Sequence, residues 1–225
     1  MMSDEVEMII DYPAKIAQDL LHGRIDIGLV PVAIIPFMSE HHIISDYCIG
    51  SDGDVATVCL FSDVPVDEIE TILLDYQSNT SVALLKILLK EHWKITPRLI
   101  VASHGYEQTI GGTTAGLVIG DRAFQQRLTS KYIYDLGAAW KTMTGLPFIF
   151  AAWVSNNKMP PDFENSFNEA NQYGVNHIDR VIIENSSPLF DLGEYYHTFI
   201  KFRLNMAMYD ALALFLSKLK NINLG

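Results

Sequence analysis

This chain of 225 residues is short of the residues that several large function classes need. It has two cysteines, Cys48 and Cys59, too few for a disulfide framework and in keeping with a reduced, cytoplasmic setting. Lys and Arg total 16 against 27 Asp and Glu, a formal net charge of −11. That balance disfavours nucleic acid, whose phosphates call for a basic face. No apolar run approaches the roughly 20 residues of a membrane helix. The opening "MMSDEVEMIIDYP" is acidic and lacks the apolar stretch of a signal peptide. The seven histidines show no H-x-x-x-H or other ligand spacing, and neither cysteine has a C-x-x-C partner, so a zinc site is not expected. There is no G-x-S-x-G elbow and no phosphate-binding G-x-x-x-x-G-K-[ST] loop. The glycine-rich "TIGGTTAGLVIG" does not supply G-x-G-x-x-G between a strand and a helix. Redox and cofactor enzymes are therefore disfavoured.

What the sequence does have is a folded composition, 49% hydrophobic and 19% charged residues, with alternating strand and helix patterns. Val6–Ile10 reads as a buried strand, and "PAKIAQDLLHG" as a helix with Pro13 in its first turn and Gly23 at its stop. "IDIGLVPV" follows as a strand ended by Pro31. "SDYCIGSDGDVATVCLFS" gives strand, glycine turn and strand. "VPVDEIETILLD" gives a helical turn and a strand, and "PRLIVA", "TAGLVIGD" and "GLPFIFAAWV" give three more strands. Short, nearly all-apolar strands separated by helices predict parallel sheets covered on both faces. Near the C-terminus a helix is expected over roughly 162–172, then a long one over about 190–219. On the second, Tyr195, Phe199, Phe202, Met206, Tyr209, Ala213 and Leu216 would form a core stripe. The expected division is two α/β lobes, residues 1–54 with 149–225 and residues 55–148. The crossings near Asp54–Val58 and Leu146–Ile149 would act as hinges, with a ligand cleft between the lobes.

One segment stands out, "LLDYQSNTSVALLKILLKEHW" from Leu73 to Trp93. Ser78, Asn79, Thr80 and Ser81 lie where a strand hands over to an amphipathic helix. One helix cap needs one such residue, and here there are four. Besides capping, they suit an anion cradle built from hydroxyls, free N–H groups and the positive end of the helix dipole.

Five segments in order, "DYPAKIAQDLLHGRIDIGLVPVAIIP", "IGSDGDVATVCLFS", "LLDYQSNTSVALLKILL", "GLVIGDRAF" and "YDLGAAWKTMTGLPFIFAAW", resemble the chorismate dehydratase family of the futalosine route to menaquinone. The resemblance runs from about Val6 to Trp153 and continues more weakly into the C-terminal helix. It implies a two-lobed fold of the type II periplasmic-binding-protein kind. It also implies a hydro-lyase that removes water from chorismate to give 3-[(1-carboxyvinyl)oxy]benzoate, with no metal or other cofactor. The implied partner is this small dicarboxylate, with no nucleic acid and no membrane; a homodimer stays open.

The resemblance implies that Ser78, Asn79, Thr80 and Ser81 receive a substrate carboxylate. It also implies that Val30 and Pro31 line the cleft, at the C-terminal strand edge where ligands gather; otherwise they are a plain buried strand. The family commonly has Ser where Thr57 stands; Thr57 retains the hydroxyl and is a candidate catalytic group, or else an ordinary hinge residue. Thr144 and Gly145 touch ligand or only shape the return crossing. Asp121 is the candidate base by position, or a cap, with a substrate carboxylate as the alternative proton acceptor. Family members also carry an "SYLN"-like segment near their start, which does not occur in this sequence. Two rival readings remain. The sister family making 1,4-dihydroxy-6-naphthoate carries a histidine in an "IHE"-like strand end, and here the matching stretch is Ile119-Gly120-Asp121, so Gly120 offers no imidazole base. A cytosolic small-anion binding protein of the same fold would bind without turnover.

Overall fold

The computed structural model describes residues 2, 6–185 and 187–222. Nine strands and eight α-helices are seen among them. The strands are β1 (Ile27–Pro31), β2 (His42–Ser51), β3 (Val58–Ser62), β4 (Thr71–Leu74), β5 (Arg98–Val101), β6 (Thr114–Ile119), β7 (Tyr132–Asp135), β8 (Phe148–Ser155) and β9 (Lys201–Arg203). The helices are α1 (Pro13–Leu21), α2 (Asn79–Leu88), α3 (Asp121–Gln126), α4 (Leu136–Thr144), α5 (Pro161–Asn176), α6 (Ile178–Glu184), α7 (Leu192–Glu194) and α8 (Met206–Leu219).

Two sheets result. One has the order β1-β8-β2-β9 and the other β5-β4-β6-β3-β7. The chain leaves the first sheet between Ser51 and Val58 and returns to it between Thr144 and Phe148. Both sheets are flanked by helices, as the α/β reading expects. The expectation that each is mainly parallel is corrected. All pairs of the first sheet are antiparallel, as are β3–β6 and β3–β7; only β4–β5 and β4–β6 run parallel. The parallel β4–β5 pair is joined through α2, the kind of long crossover that parallel neighbours need. Strand β8 instead pairs only with elements far away in sequence, so its apolar run carried no information on direction. Its burial on both faces, not parallel pairing, accounts for the continuous "FIFAAWV".

Helix α1 starts with Pro13 in its first turn, where the missing N–H costs no helical bond, and buries Ile16, Ala17 and Leu20. Proline at Pro31 is tolerated because β1 is an edge strand. Helices α2 and α4 pack on each other, and α2 also meets α8 and the 3-10 turn Val32–Phe37. One apolar cluster, including Val30, Leu60, Ile72, Leu84, Trp140, Phe148 and Phe215, runs continuously from one sheet to the other.

Two further expectations fail. Val6–Ile10 forms no strand, and Met8 and Ile10 are 78% and 88% exposed. An apolar stretch becomes a strand only when a neighbour takes its backbone bonds, and none is present here among the described residues. The long C-terminal helix over 190–219 is also broken. It resolves into α7, a π-helical turn at Tyr195–Phe199, strand β9 and α8. Because β9 intervenes, the expected stripe loses its phase: Met206, Tyr209 and Ala213 are exposed, and α8 buries Met208, Ala211, Leu212, Phe215 and Leu219 instead.

Candidate functional site

The segment between the sheets is fixed by one carboxylate. Asp135 ends β7 and caps α4, accepting from the amides of Gly137 and Ala138 at 2.9 and 3.1 Å. The same carboxylate reaches across to the amides of Val55, at 3.0 Å, and Ala56, at 2.7 Å. Ala56 has φ +65°, a left-handed conformation that a residue with a Cβ rarely adopts. Arg127 adds a bond from Nε to the Ala56 carbonyl at 3.0 Å. Burial pushes the Asp135 carboxyl above its ordinary range, while the amides of Ala138, Ala56 and Val55 pull the other way. A strained crossing held from two directions gives the next residue, Thr57, a defined place.

Thr57 is buried, and its oxygen lies 2.9 Å from the phenol oxygen of Tyr195. Its carbonyl accepts from Gly120 N–H at 2.9 Å. Gly120 sits at φ +64° and ψ −150°, a region essentially reserved for glycine, and it turns β6 into α3. Asp121 follows as the exposed first residue of α3. Its charge reaches both Tyr195 and Tyr196. Burial, with Asp121 adding to it, keeps both phenols above their ordinary range; for Tyr195 the Thr57 contact opposes the rise. Thr57, Gly120 and Asp121 are thus brought together, and Tyr195 joins them.

The handover from β4 to α2 is a second polar centre. Ser78 caps α2, taking the Ser81 amide at 3.2 Å, and the two serine hydroxyls lie 2.9 Å apart. Thr80 is fully buried and accepts the Ala33 amide at 3.1 Å. That bond ties α2 to the turn following Val30 and Pro31, so these residues form one group. Asn79 is exposed. Just before this group, the fully buried Asp75 carboxylate takes the Arg122 guanidinium at 2.6 Å, the Tyr106 phenol at 2.8 Å and the Gln77 amide at 2.7 Å. Arg122 also reaches Glu107 at 2.6 Å and Gln77 at 2.9 Å. Since Arg122 follows Asp121, this network links the α2 start to the Thr57 centre. The local negative potential of two carboxylates is offset there by a planar cation with five donors.

Thr144 and Gly145 remain apart from these centres in their bonding. Thr144 donates to the Trp140 carbonyl and accepts from the Leu146 amide, and Gly145 ends α4 in a left-handed conformation. They shape the exit of α4, about 13 Å along the helix from Asp135 at 1.5 Å per residue.

The model of the menaquinone-biosynthesis family matches residues 1–221. The chain belongs to this family. Over 176 residues it is 30% identical to a chorismate dehydratase of Thermus thermophilus, a match covering 66% of this chain and 61% of that protein. The chain therefore spans less than two thirds of that relative's length. Among solved structures, a protein of Archaeoglobus fulgidus superposes with a TM-score of 0.73 at 12% identity, over 96% of this chain and 86% of its own. The alkanesulfonate-binding protein SsuA of Xanthomonas axonopodis pv. citri, bound to MOPS, gives 0.54 at 11% identity, over 92% and 78%. These likenesses show the fold, which is the two-lobed kind of the periplasmic binding proteins. No helix among the described residues is long and apolar enough to cross a membrane.

Two site residues escape a reading of the sequence. Tyr195 looks like one member of an apolar stripe; the signal against that is the capped turn "DLGEYYH", where Asp191 takes the Gly193 and Glu194 amides and two tyrosines follow. Asp135 looks like an ordinary cap before "LGAAW", and nothing local reveals that it also binds Val55 and Ala56, about 80 residues away.

Proposed function

We propose that this member of the menaquinone-biosynthesis family is a chorismate dehydratase, a hydro-lyase forming 3-[(1-carboxyvinyl)oxy]benzoate and water. The observation that carries the reading is the 30% identity to a protein of that name within a chain matched by the family from residue 1 to 221. The reaction removes one ring proton and the neighbouring hydroxyl. It transfers no net electrons, and the gain of an aromatic ring drives it. The protein's task is then to orient the substrate, take a proton and stabilise charge.

In this reading residues 1–54 and 149–225 form one lobe and 55–148 the other, with chorismate in a cleft between them. The α2 start receives one carboxylate. The amides of Asn79 and Thr80 precede any intrahelical partner, and the hydroxyls of Ser78, Thr80 and Ser81 stand around them, with Val30 and Pro31 alongside. Thr57 faces the reacting ring from the crossing, and Gly120 and Asp121 face it from the turn between β6 and α3. Asp121 is the side-chain candidate for proton removal, and a substrate carboxylate is the alternative acceptor. Thr144 and Gly145 border the cleft through the return crossing. The protein acts in the cytoplasm, without metal or other cofactor. Incubating the purified protein with chorismate and following product by chromatography tests the reading, and a chelator is expected to leave the rate unchanged. Chorismate bound but recovered intact would make this a binding protein, and no binding at all would refute both. An Asp121→Asn variant that binds normally but loses well over 10²-fold in kcat assigns the base to the side chain; a small loss assigns it to the substrate.

A further inference from the structure

The Thr57–Tyr195 contact joins two parts of the chain that belong to neither sheet. Thr57 lies on the crossing from β2 to β3, and Tyr195 opens the π-helical turn that leads into β9. Among the described residues the other bond of the Thr57 hydroxyl is to the Val55 carbonyl at 3.4 Å, near the limit for hydrogen bonding, so the phenol at 2.9 Å is its principal partner. The Tyr195 ring has little freedom. Phe124 meets it edge-on at 5.4 Å and 88°, Phe190 at 6.3 Å and 85°, and Tyr196 lies 5.1 Å away. Single π-helical turns often occur at functional positions, and this one swings the phenol toward the crossing. Burial and the nearby Asp121 charge keep the phenol protonated. Two neutral hydroxyls carry two hydrogens and use one between them. When the phenol donates, the Thr57 hydrogen has the Val55 carbonyl at the longer 3.4 Å; when Thr57 donates, the phenol hydrogen is left for a third acceptor, on the side where the Asp121 charge is felt.

The geometry points to Tyr195 as a positioning residue of this site: it orients the Thr57 hydroxyl so that the pair presents one donor hydrogen to an oxygen of the bound substrate. The identity of that substrate rests on the dehydratase reading; the orienting contact does not.

The test uses Tyr195→Phe, which keeps the ring and removes only the hydroxyl, with Thr57→Val, Thr57→Ser and the double variant Thr57→Val/Tyr195→Phe. Three-bond couplings to the Thr57 methyl, measured by nuclear magnetic resonance, are expected to report one side-chain rotamer in the native protein and averaging in Tyr195→Phe. With chorismate, Tyr195→Phe and Thr57→Val are expected each to lower kcat about 10- to 100-fold, with KM within about threefold. Thr57→Ser should retain kcat, and the double variant should be no worse than the poorer single one. A residue that only supported the fold would not give that split or that rescue. Unchanged couplings in Tyr195→Phe overturn the proposal whatever the turnover, as do losses that multiply in the double variant. If the native protein fails to convert chorismate while the couplings respond as expected, the dehydratase reading falls and the orienting contact stands.

Discussion

Replacing Asp135 by Asn changes one atom and should unsettle the whole crossing. The close hydrogen-bond partners of this carboxylate are backbone amides, with the Cys59 thiol farther off at 3.7 Å. One oxygen takes the Gly137 and Ala138 amides, the other takes Ala56, and Val55 is shared between them. An amide side chain has to place its NH2 group on one side or the other. In one orientation it faces Ala56 N–H, formerly bonded at 2.7 Å; in the other it faces the Gly137 and Ala138 amides of α4. Either way at least one charge-assisted bond, worth about 1.5–3 kcal/mol, becomes donor against donor in a buried place. The strained Ala56 conformation, which costs on the order of 1–3 kcal/mol, also loses its clamp. A destabilisation of about 3–5 kcal/mol is expected from the lost bond, the opposed donors and the released strain together. For a chain of this size each kcal/mol shifts Tm by about 2–4 °C, so Tm should fall by roughly 6–20 °C in a circular dichroism melt at neutral pH. Asp52→Asn is the control, since Asp52 is half exposed and forms a surface pair with Lys141; its Tm should move by no more than about 2 °C. If Asp135→Asn melts within about 2 °C of the native protein, the clamp does not hold the crossing and the placement of Thr57 needs another cause.

Two other substitutions probe the remaining links. Gly120→Ala adds a Cβ that meets nothing within 4 Å, so its whole effect is backbone strain at φ +64°: a loss of about 1–3 kcal/mol in denaturant unfolding, whereas an unchanged midpoint would show that the turn relaxes freely. Thr80→Ala combined with Ser81→Ala should weaken chorismate binding by about 1–3 kcal/mol in calorimetry. Because Thr80 also holds the Ala33 amide, a modest drop in stability should accompany it; unchanged affinity in a folded variant would return the segment to capping alone.

How much of this was legible beforehand follows from the range of each interaction. Helix α1 could be read because its signals are local: Pro13 in the first turn, apolar residues on one face and Gly23 at the stop. The α2 start could be read too, since a cap and its amide partner lie within three residues. The break before α8 is masked by apolar residues at helical spacing on either side; the alternation Ile200, Phe202, Leu204 and the cap Asn205 are its local signals, and pairing with β2 makes Lys201–Arg203 a strand.

The sequence by itself determined the α/β class, the positions of most strands, the two crossings and the hydroxyl cluster at a helix start. Each of these depends on neighbours a few residues apart, on patterning or on turn chemistry. Tertiary structure alone decided strand direction, because an apolar strand buried on both faces looks the same whichever way its partner runs. It alone decided that Val6–Ile10 stays outside the sheets, since strand formation needs a partner for its backbone. And it alone brought Asp135 to Val55, Thr80 to Ala33 and Tyr195 to Thr57, contacts 80, 47 and 138 residues apart. Hydrogen bonds form wherever packing places a donor against an acceptor, and no periodicity in the chain records a meeting at that distance.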